Sequence, residues 1–280
     1  MTLPKHYLIK YIRTKFAILS AVSKKKAAKA AFHLFCTPQY RNTKPLPASF
    51  KRAESLEFSL GTYRIRGYRW NHPASQKILI LHGFESSVVN FDRYVGPLIQ
   101  KGYEVLAFDA PAHGMSTGKE VNVLIYKNMI RQIYNDHGPI DAFLAHSFGG
   151  LAISLFLEDL PHNHNIKLVL IAPAMETKTA VDHFFRFLKL DDEVRKEFDN
   201  YLSQLGGKPA EWYSIVRAST NIKAQVLFLQ DKQDEMTPLS DVTPLMEKNY
   251  SNFHFIISEG LGHRRIYRDK DSVKAILEFL

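Results

Sequence analysis

Six short apolar runs, separated by longer stretches of helical periodicity, constrain the fold of this chain more than any other feature. They are "KILILH" (77–82), "EVLAFD" (104–109), "DAFLAH" (141–146), "KLVLIA" (167–172), "QVLFLQ" (225–230) and "FHFIIS" (253–258). Most are apolar at consecutive positions and do not alternate, which marks strands buried on both faces. Helical patterns lie between most of them, near 91–101, 119–136, 148–160 and 238–249, with a last one at 271–280. Buried strands joined by helices imply an α/β fold, a mostly parallel central sheet with helices on both faces. Upstream, "SLEFSL" and "YRIRGYRW" alternate like paired strands around Gly61-Thr62.

The gap from 173 to 224 is too long for one crossover. It carries two helical patterns, "TAVDHFFRFL" and "DEVRKEFDNYLSQL". It reads as a helical cap, residues 175–222, inserted after the sixth strand. The core is then 54–174 with 223–280, and residues 1–53 form a basic helical arm.

Charge sets the arm apart. Of 37 Lys and Arg, 12 fall in residues 1–53, which hold no Asp or Glu, leaving 25 basic against 28 acidic residues elsewhere. The net charge of +9 therefore belongs to the arm. Leu8, Ile12, Phe16 and Leu19 recur with the spacing of an amphipathic helix, and Ala-rich 27–35 predicts a second helix ending near Pro38. "FAILSAV" is too short to span a bilayer and stops at "KKK", with no clear cleavage site, so neither a secretory signal nor a membrane span is expected. The expected location is cytoplasmic. Packing of the apolar stripe on the body is the favoured role for the arm, and peripheral contact of residues 5–35 with an anionic membrane is the second. No base-reading module accompanies the charge, so nucleic acid is not an expected partner. The single cysteine, Cys36, excludes an internal disulfide and, set between "FHLF" and a proline, reads as a buried structural thiol. The "HNH" at 162–164 has no metal-binding companions, so no metal or cofactor is expected.

Two serines compete for chemistry. "GMSTG" (114–118) is a strict G-x-S-x-G, whereas "AHSFG" (145–149) has alanine first. A nucleophile elbow needs a strand ending at the serine, a helix starting after it, and small residues two positions either side. Ser147 follows "DAFLAH" and precedes "FGGLAISLFLEDL", and Ala145 still meets the steric need. Ser116 lies seven residues beyond Asp109 with no abutting strand, and reads as a loop serine.

A serine needs a base and an orienting acid from later loops at the carboxyl ends of the strands. "DKQDEMTP" offers Asp234, with Asp231 and Glu235 as competitors, and "EGLGHRR" offers His263. The loop "LHGFESS" supplies the Phe84 amide for a developing oxyanion, with Gly83 permitting close approach. The Phe148 amide is the second donor. His82 and His113 are expected to organise loops by hydrogen bonding, and Arg264 and Arg265 to lie at the surface.

"LHGF", "FDAPAHGMS", "AHSFGG", "DEMTP" and "GLGHRR", in this order, resemble the α/β-hydrolase superfamily, serine-hydrolase (carboxylesterase-like) branch, over roughly residues 55–280. The resemblance implies a nucleophile at Ser147, an acid at Asp234, a base at His263 and oxyanion amides at Phe84 and Phe148. It also makes "DAPAHGMS" similar to the family's D-x-P-G-H-G-x-S structural loop. Ala112 replaces the first glycine there, so a slightly different loop conformation is expected. Serine at the elbow sets the chain apart from aspartate-nucleophile relatives, and the lack of H-G-G-P-G and H-G-G-G segments from prolyl-aminopeptidase and some lipase relatives. The implied activity is cleavage of an ester-type bond in a small or medium acyl substrate through an acyl-enzyme. Thioesterase or amidase action on the same residues, and a non-catalytic ligand-binding module, stay open as alternatives. Phe184, Phe185, Phe187 and Trp212 of the inserted segment are expected to line an apolar substrate pocket, or else only to seal cap to core.

Overall fold

The computed structural model describes residues 5–42 and 45–280, with the side chains of Lys5, His6 and Leu8 outside the described set. The Leu8 side chain of the predicted stripe therefore lies outside the described set.

The sheet has eight strands: β1 (Glu54–Leu60), β2 (Tyr63–Trp70), β3 (Gln76–Leu81), β4 (Tyr103–Phe108), β5 (Ala142–His146), β6 (Lys167–Ile171), β7 (Gln225–Asp231) and β8 (Phe253–Ser258). Their spatial order is β1-β2-β4-β3-β5-β6-β7-β8. β2 runs antiparallel to β1 and β4, and the other neighbours are parallel. Each of the six apolar runs is a strand of the parallel part.

Both faces are buried, as consecutive apolar residues require. Ile78, Ile80, Val105, Leu144, Val169 and Leu229 share one core cluster with Tyr94, Val95 and Leu98 of helix Asp92–Gln100 and Ile276 of helix Lys270–Phe279. The alternate residues Leu79, Leu106, Phe143, Leu168 and Phe228 point the other way and are equally inaccessible to water. Burying one such side chain contributes about 1.5–3 kcal/mol, so this double-sided row supplies much of the driving force.

The order reverses beside β3: β4 lies on one side and β5 on the other. Loops leaving β3 and β5 at their carboxyl ends therefore diverge from a switch point, where open α/β sheets form their sites.

By compactness the described chain divides into two units. One contains residues up to Thr37 with Glu176–Tyr213, and the other contains Pro38–Met175 with Ser214–Leu280. Residues 38–42 and 45–53 belong with the sheet, where Phe50 packs edge-on to Tyr68 and Trp70 of β2. The short helix Ile215–Ala218 also belongs there, its first amide bonded to Met175 O at 2.8 Å.

The smaller unit is helical: Lys5–Val22, Lys24–Cys36, Thr177–Leu188 and Asp192–Gly206. Ser23 caps the second helix, its Oγ accepting from Lys26 N. Ala27, Ala28 and Ala31 present small buried side chains. Phe32 packs on Phe198 and Tyr201, Phe35 on Phe184 and Phe198, and Phe185 on Phe198. Arm and inserted segment thus share an aromatic core. Ser20 Oγ donates to Asp191 Oδ2 at 2.7 Å, Lys24 Nζ reaches the same oxygen at 2.9 Å, and Arg13 Nε donates to Phe187 O at 3.0 Å. Among the described residues no helix is long and apolar enough to cross a membrane.

Candidate active site

β5 ends at His146 and helix Phe148–Asp159 begins one residue later, leaving Ser147 at the turn with φ 53° and ψ −120°. A non-glycine residue held at positive φ is strained, and such strain concentrates at functional turns. The turn fits only because its neighbours are small. A Cβ on Gly149 would meet Leu81 O at 2.9 Å and His82 O at 2.8 Å, and one on Gly150 would meet Pro173 Cβ at 2.7 Å. Gly83 is equally constrained: a Cβ there would stand 2.8 Å from Ser147 Cβ and 3.4 Å from Ser147 Oγ. The loop after β3 therefore lies directly against Ser147.

Ser147, His263 and Asp234 come together in one buried row. Ser147 Oγ lies 2.9 Å from His263 Nε2, and His263 Nδ1 lies 2.8 Å from Asp234 Oδ2. The carboxylate accepts from Nδ1–H, which leaves the Nε2 lone pair facing the serine hydroxyl. Asp234 Oδ1 also accepts from the Met236 and Thr237 amides, and its Oδ2 from Thr237 Oγ1 at 2.8 Å. Burial pushes the Asp234 carboxyl up, but the hydrogen bond and charge of His263, with the Thr237 donors, hold it below the usual carboxylate range.

The competing acids stand elsewhere. Asp231 accepts from Gln233 N, Leu261 N and Ser258 Oγ, tying the loop after β7 to the loop that carries His263. Burial raises its carboxyl, yet the amides of Gly262, Leu261 and Gln233 and the Ser258 hydroxyl outweigh that and hold it low. Glu235 is exposed.

Phe84 and Phe148 meet edge to face, ring centroids 5.8 Å apart, one ring from each loop at the switch point. Among the described residues neither backbone amide has a protein acceptor. Two neutral histidines fix the loop after β3. His82 Nδ1 donates to Gly83 O while its Nε2 accepts from Ala110 N. His113 Nδ1 donates to Pro111 O while its Nε2 accepts from Glu85 N. Burial lowers their pKa values to about 4 and about 3, so each keeps one donor and one acceptor at neutral pH.

Ser116 is fully committed to structure. Its Oγ donates to Asp109 O at 2.6 Å and accepts from Arg66 N at 2.9 Å, inaccessible to solvent. Asp109 accepts from Ser87 Oγ, Val88 N and Met115 N, so the loop after β4 is pinned to the loop after β3. Ala112 sits at φ 65°, the left-handed region that glycine takes without strain.

Of the aromatic residues expected at a pocket, Phe185 is buried on Phe198 and Phe184 packs edge-on to Phe35. Phe187 and Trp212 are exposed. All four belong to the smaller unit.

A family model described as serine aminopeptidase, S33 matches residues 72–227, more than half the chain and the whole span from β3 through β6. The chain belongs to this family, and so to the α/β-hydrolase superfamily. The hydrolase is 24% identical over 264 residues to YqkD, an uncharacterized protein of Bacillus subtilis, covering 83% of this chain and 81% of YqkD. The esterase Pf2001 of Pyrococcus furiosus superposes with TM-score 0.66 at 19% identity, covering 87% of this chain and 98% of that one. A monoacylglycerol lipase from Paleococcus ferrophilus superposes with TM-score 0.59 at 23% identity, covering 76% and 97%.

Two contributors escaped the sequence reading. Thr237, bonded to Asp234 and 3.2 Å from His263 Nδ1, was foreshadowed only by the D-x-x-T spacing of a capping turn. His146, the residue directly before Ser147, points Nε2 at the His263 carbonyl at 3.0 Å. Its ring packs on those of His263 and Tyr267, with centroids 4.8 and 4.6 Å away. Among the described residues its buried Nδ1 has no partner. Burial, with the neighbouring His263, lowers its pKa to about 3, so it stays neutral.

Proposed function

We propose that this hydrolase cleaves an ester-type acyl bond in a small or medium, apolar substrate through an acyl-enzyme on Ser147. The carrying observation is the row Ser147 Oγ, His263, Asp234, with contacts of 2.9 and 2.8 Å in a buried site. His263 Nε2 takes the hydroxyl proton as Oγ attacks the acyl carbon, and the carbonyl electrons move onto oxygen. The Phe84 and Phe148 amides receive that oxyanion, and losing one such donor costs about 10²–10³ in rate. His263 then gives its proton to the departing alkoxide. In the second half it deprotonates water, which attacks the acyl carbon, and it returns that proton to Ser147 Oγ as the carboxylic acid leaves. Asp234 stays ionised throughout, holding the Nδ1–H tautomer and the imidazolium. Removing that charge as Asp234→Asn costs roughly 10⁴ in turnover where the role is the same.

Substrate selection is assigned to residues 175–222 acting as a cap. Phe187 and Trp212 are the exposed aromatic residues of the predicted set, and Phe184 and Phe185 act by shaping the helices that carry them. The esterase and lipase of similar fold support an ester-type bond as substrate.

A fluorophosphonate probe tests the chemistry. Labelling is expected for wild type and Ser116→Ala and lost in Ser147→Ala. A folded wild type that takes no label would instead favour a ligand-binding module. A series of p-nitrophenyl esters tests the pocket, and activity confined to acetate would sink a roomy apolar one. The family's description favours a second reading, release of an N-terminal residue from a peptide. Aminoacyl anilides in the same assay separate the two, because turnover of anilides but not esters supports the aminopeptidase.

A further inference from the structure

The first helix, Lys5–Val22, has two apolar faces, one buried inside the smaller unit and one exposed. Phe16 and Ser20 are buried, with Ile12 and Leu19 half-buried beside them. On the opposite side Tyr7, Tyr11, Ile18 and Val22 are 55%, 65%, 63% and 73% exposed. At 3.6 residues per turn these four fall within a strip about 60° wide. Lys10 borders the strip on one side and Lys15 on the other, both exposed. Lys25, Lys26 and Lys29, at the start of the next helix, are exposed too. Arg13 and Lys24 are engaged internally, with Phe187 O and Asp191. Among the described residues the other five lysines form no ion pair, and residues 1–53 contain no carboxylate side chain to neutralise them.

We propose that this face docks the protein onto an anionic lipid surface, with Tyr7, Tyr11, Ile18 and Val22 entering the headgroup boundary and the lysines meeting lipid phosphates. The arrangement matches what an interfacial helix needs: an apolar strip in the middle, cations along its rims, and tyrosines whose amphipathic rings suit the interface. A nucleic-acid surface would place cations at the centre of the face, where this one is apolar. A second copy of the chain would bring lysine rims of like charge together. The inference rests on the smaller unit alone and holds whether or not Ser147 acts as proposed.

Flotation of the full-length protein with vesicles tests it. Phosphatidylcholine vesicles containing one-third phosphatidylglycerol are expected to carry the protein at low salt, and pure phosphatidylcholine vesicles are not. High salt weakens the binding, because rim charges are screened. Ile18→Asp with Val22→Asp is expected to lower the partition coefficient at least about tenfold. Lys15→Glu with Lys25→Glu is expected to lower it by more than about tenfold, since each basic residue near an anionic surface is worth about fivefold. All four positions are exposed, and a thermal melt compared with wild type confirms that each pair folds. Leu205→Asp, at an exposed position of helix Asp192–Gly206, should leave binding unchanged. The proposal is overturned by equal binding to both vesicle types, or by vesicle binding that survives both double variants. It is equally overturned by tighter binding to a DNA duplex than to vesicles, or by a wild-type dimer that Ile18→Asp with Val22→Asp dissociates.

Discussion

His146 holds His263 by its backbone: the imidazole Nε2–H of the residue before Ser147 donates to the His263 carbonyl at 3.0 Å. The side chain of the elbow thus fixes the loop whose imidazole faces the elbow's own hydroxyl. Removing that link frees the short helix Gly262–Arg265 at its first turn while leaving Ser147 in place. His146→Leu is expected to lower kcat about 10–100-fold with little change in KM, because small misplacements of a reacting group are costly. Stability should move by only about 1 kcal/mol, since the lost hydrogen bond is offset by removing the unpartnered Nδ1. His146→Gln, which can donate to the same carbonyl, should recover most of the rate. Equal turnover in wild type and His146→Leu would leave His146 with packing alone.

Ser116 predicts the opposite pattern. Its hydroxyl satisfies Asp109 O and Arg66 N in a site without water access. Ser116→Ala leaves both groups unpaired, at a cost of about 1–3 kcal/mol for each. Urea denaturation should show that loss while fluorophosphonate labelling per folded molecule stays at the wild-type level. A variant as stable as wild type would mean that the two backbone groups find other partners.

These two serines show how far the sequence could be read. Ser147 was legible because its context is local: a buried strand before it, a breaker-free helix after it, small residues on either side. The partners that occupy Ser116 come from residues 66 and 109, brought near only when β2 pairs with β4. The same limit applies to the acids. Asp231 and Asp234 stand three positions apart, at the end of β7 and in the loop after it, and it takes the folded turn to aim one at Leu261 N and the other at His263 Nδ1. The arm was legible as an amphipathic helix followed by a second, Ala-rich one. Its pairing with the inserted segment depends on side-chain fit among Phe32, Phe35, Phe184 and Phe198, which no periodicity encodes.

Ala112 carries strain that one methyl group explains. It sits at φ 65° in the loop that Asp109 and Ser116 pin. A non-glycine residue there costs roughly 1–2 kcal/mol, partly offset by the lower backbone entropy of alanine in the unfolded chain. Ala112→Gly is therefore expected to stabilise by about 0.5–1 kcal/mol, seen as a higher urea midpoint at constant m. Destabilisation would show that the buried methyl contributes more through packing than the backbone loses through strain.

Stability should fall steeply in mild acid. His82, His113 and His146 are buried and neutral, with pKa values lowered to about 4, 3 and 3 from an ordinary 6.5. In the unfolded chain these rings take up protons near pH 6.5, whereas in the folded protein they do so only some three units lower. Between those values the unfolded state binds more protons, so unfolding free energy decreases as pH falls. Asp231 and Asp234, held low when folded, add to the loss only below about pH 4. Asp109, raised by burial, opposes it by taking its proton first in the folded state. One proton contributes at most about 1.4 kcal/mol per pH unit, so the three rings approach about 4 kcal/mol per unit between pH 6 and 4. Urea titrations are expected to give nearly constant stability from pH 8 to 7 and a loss of about 4–6 kcal/mol by pH 5. His113→Gln should reduce the slope by about one proton in three. A curve that stays flat to pH 5 would mean these imidazoles accept protons without unfolding, against the burial that keeps them neutral.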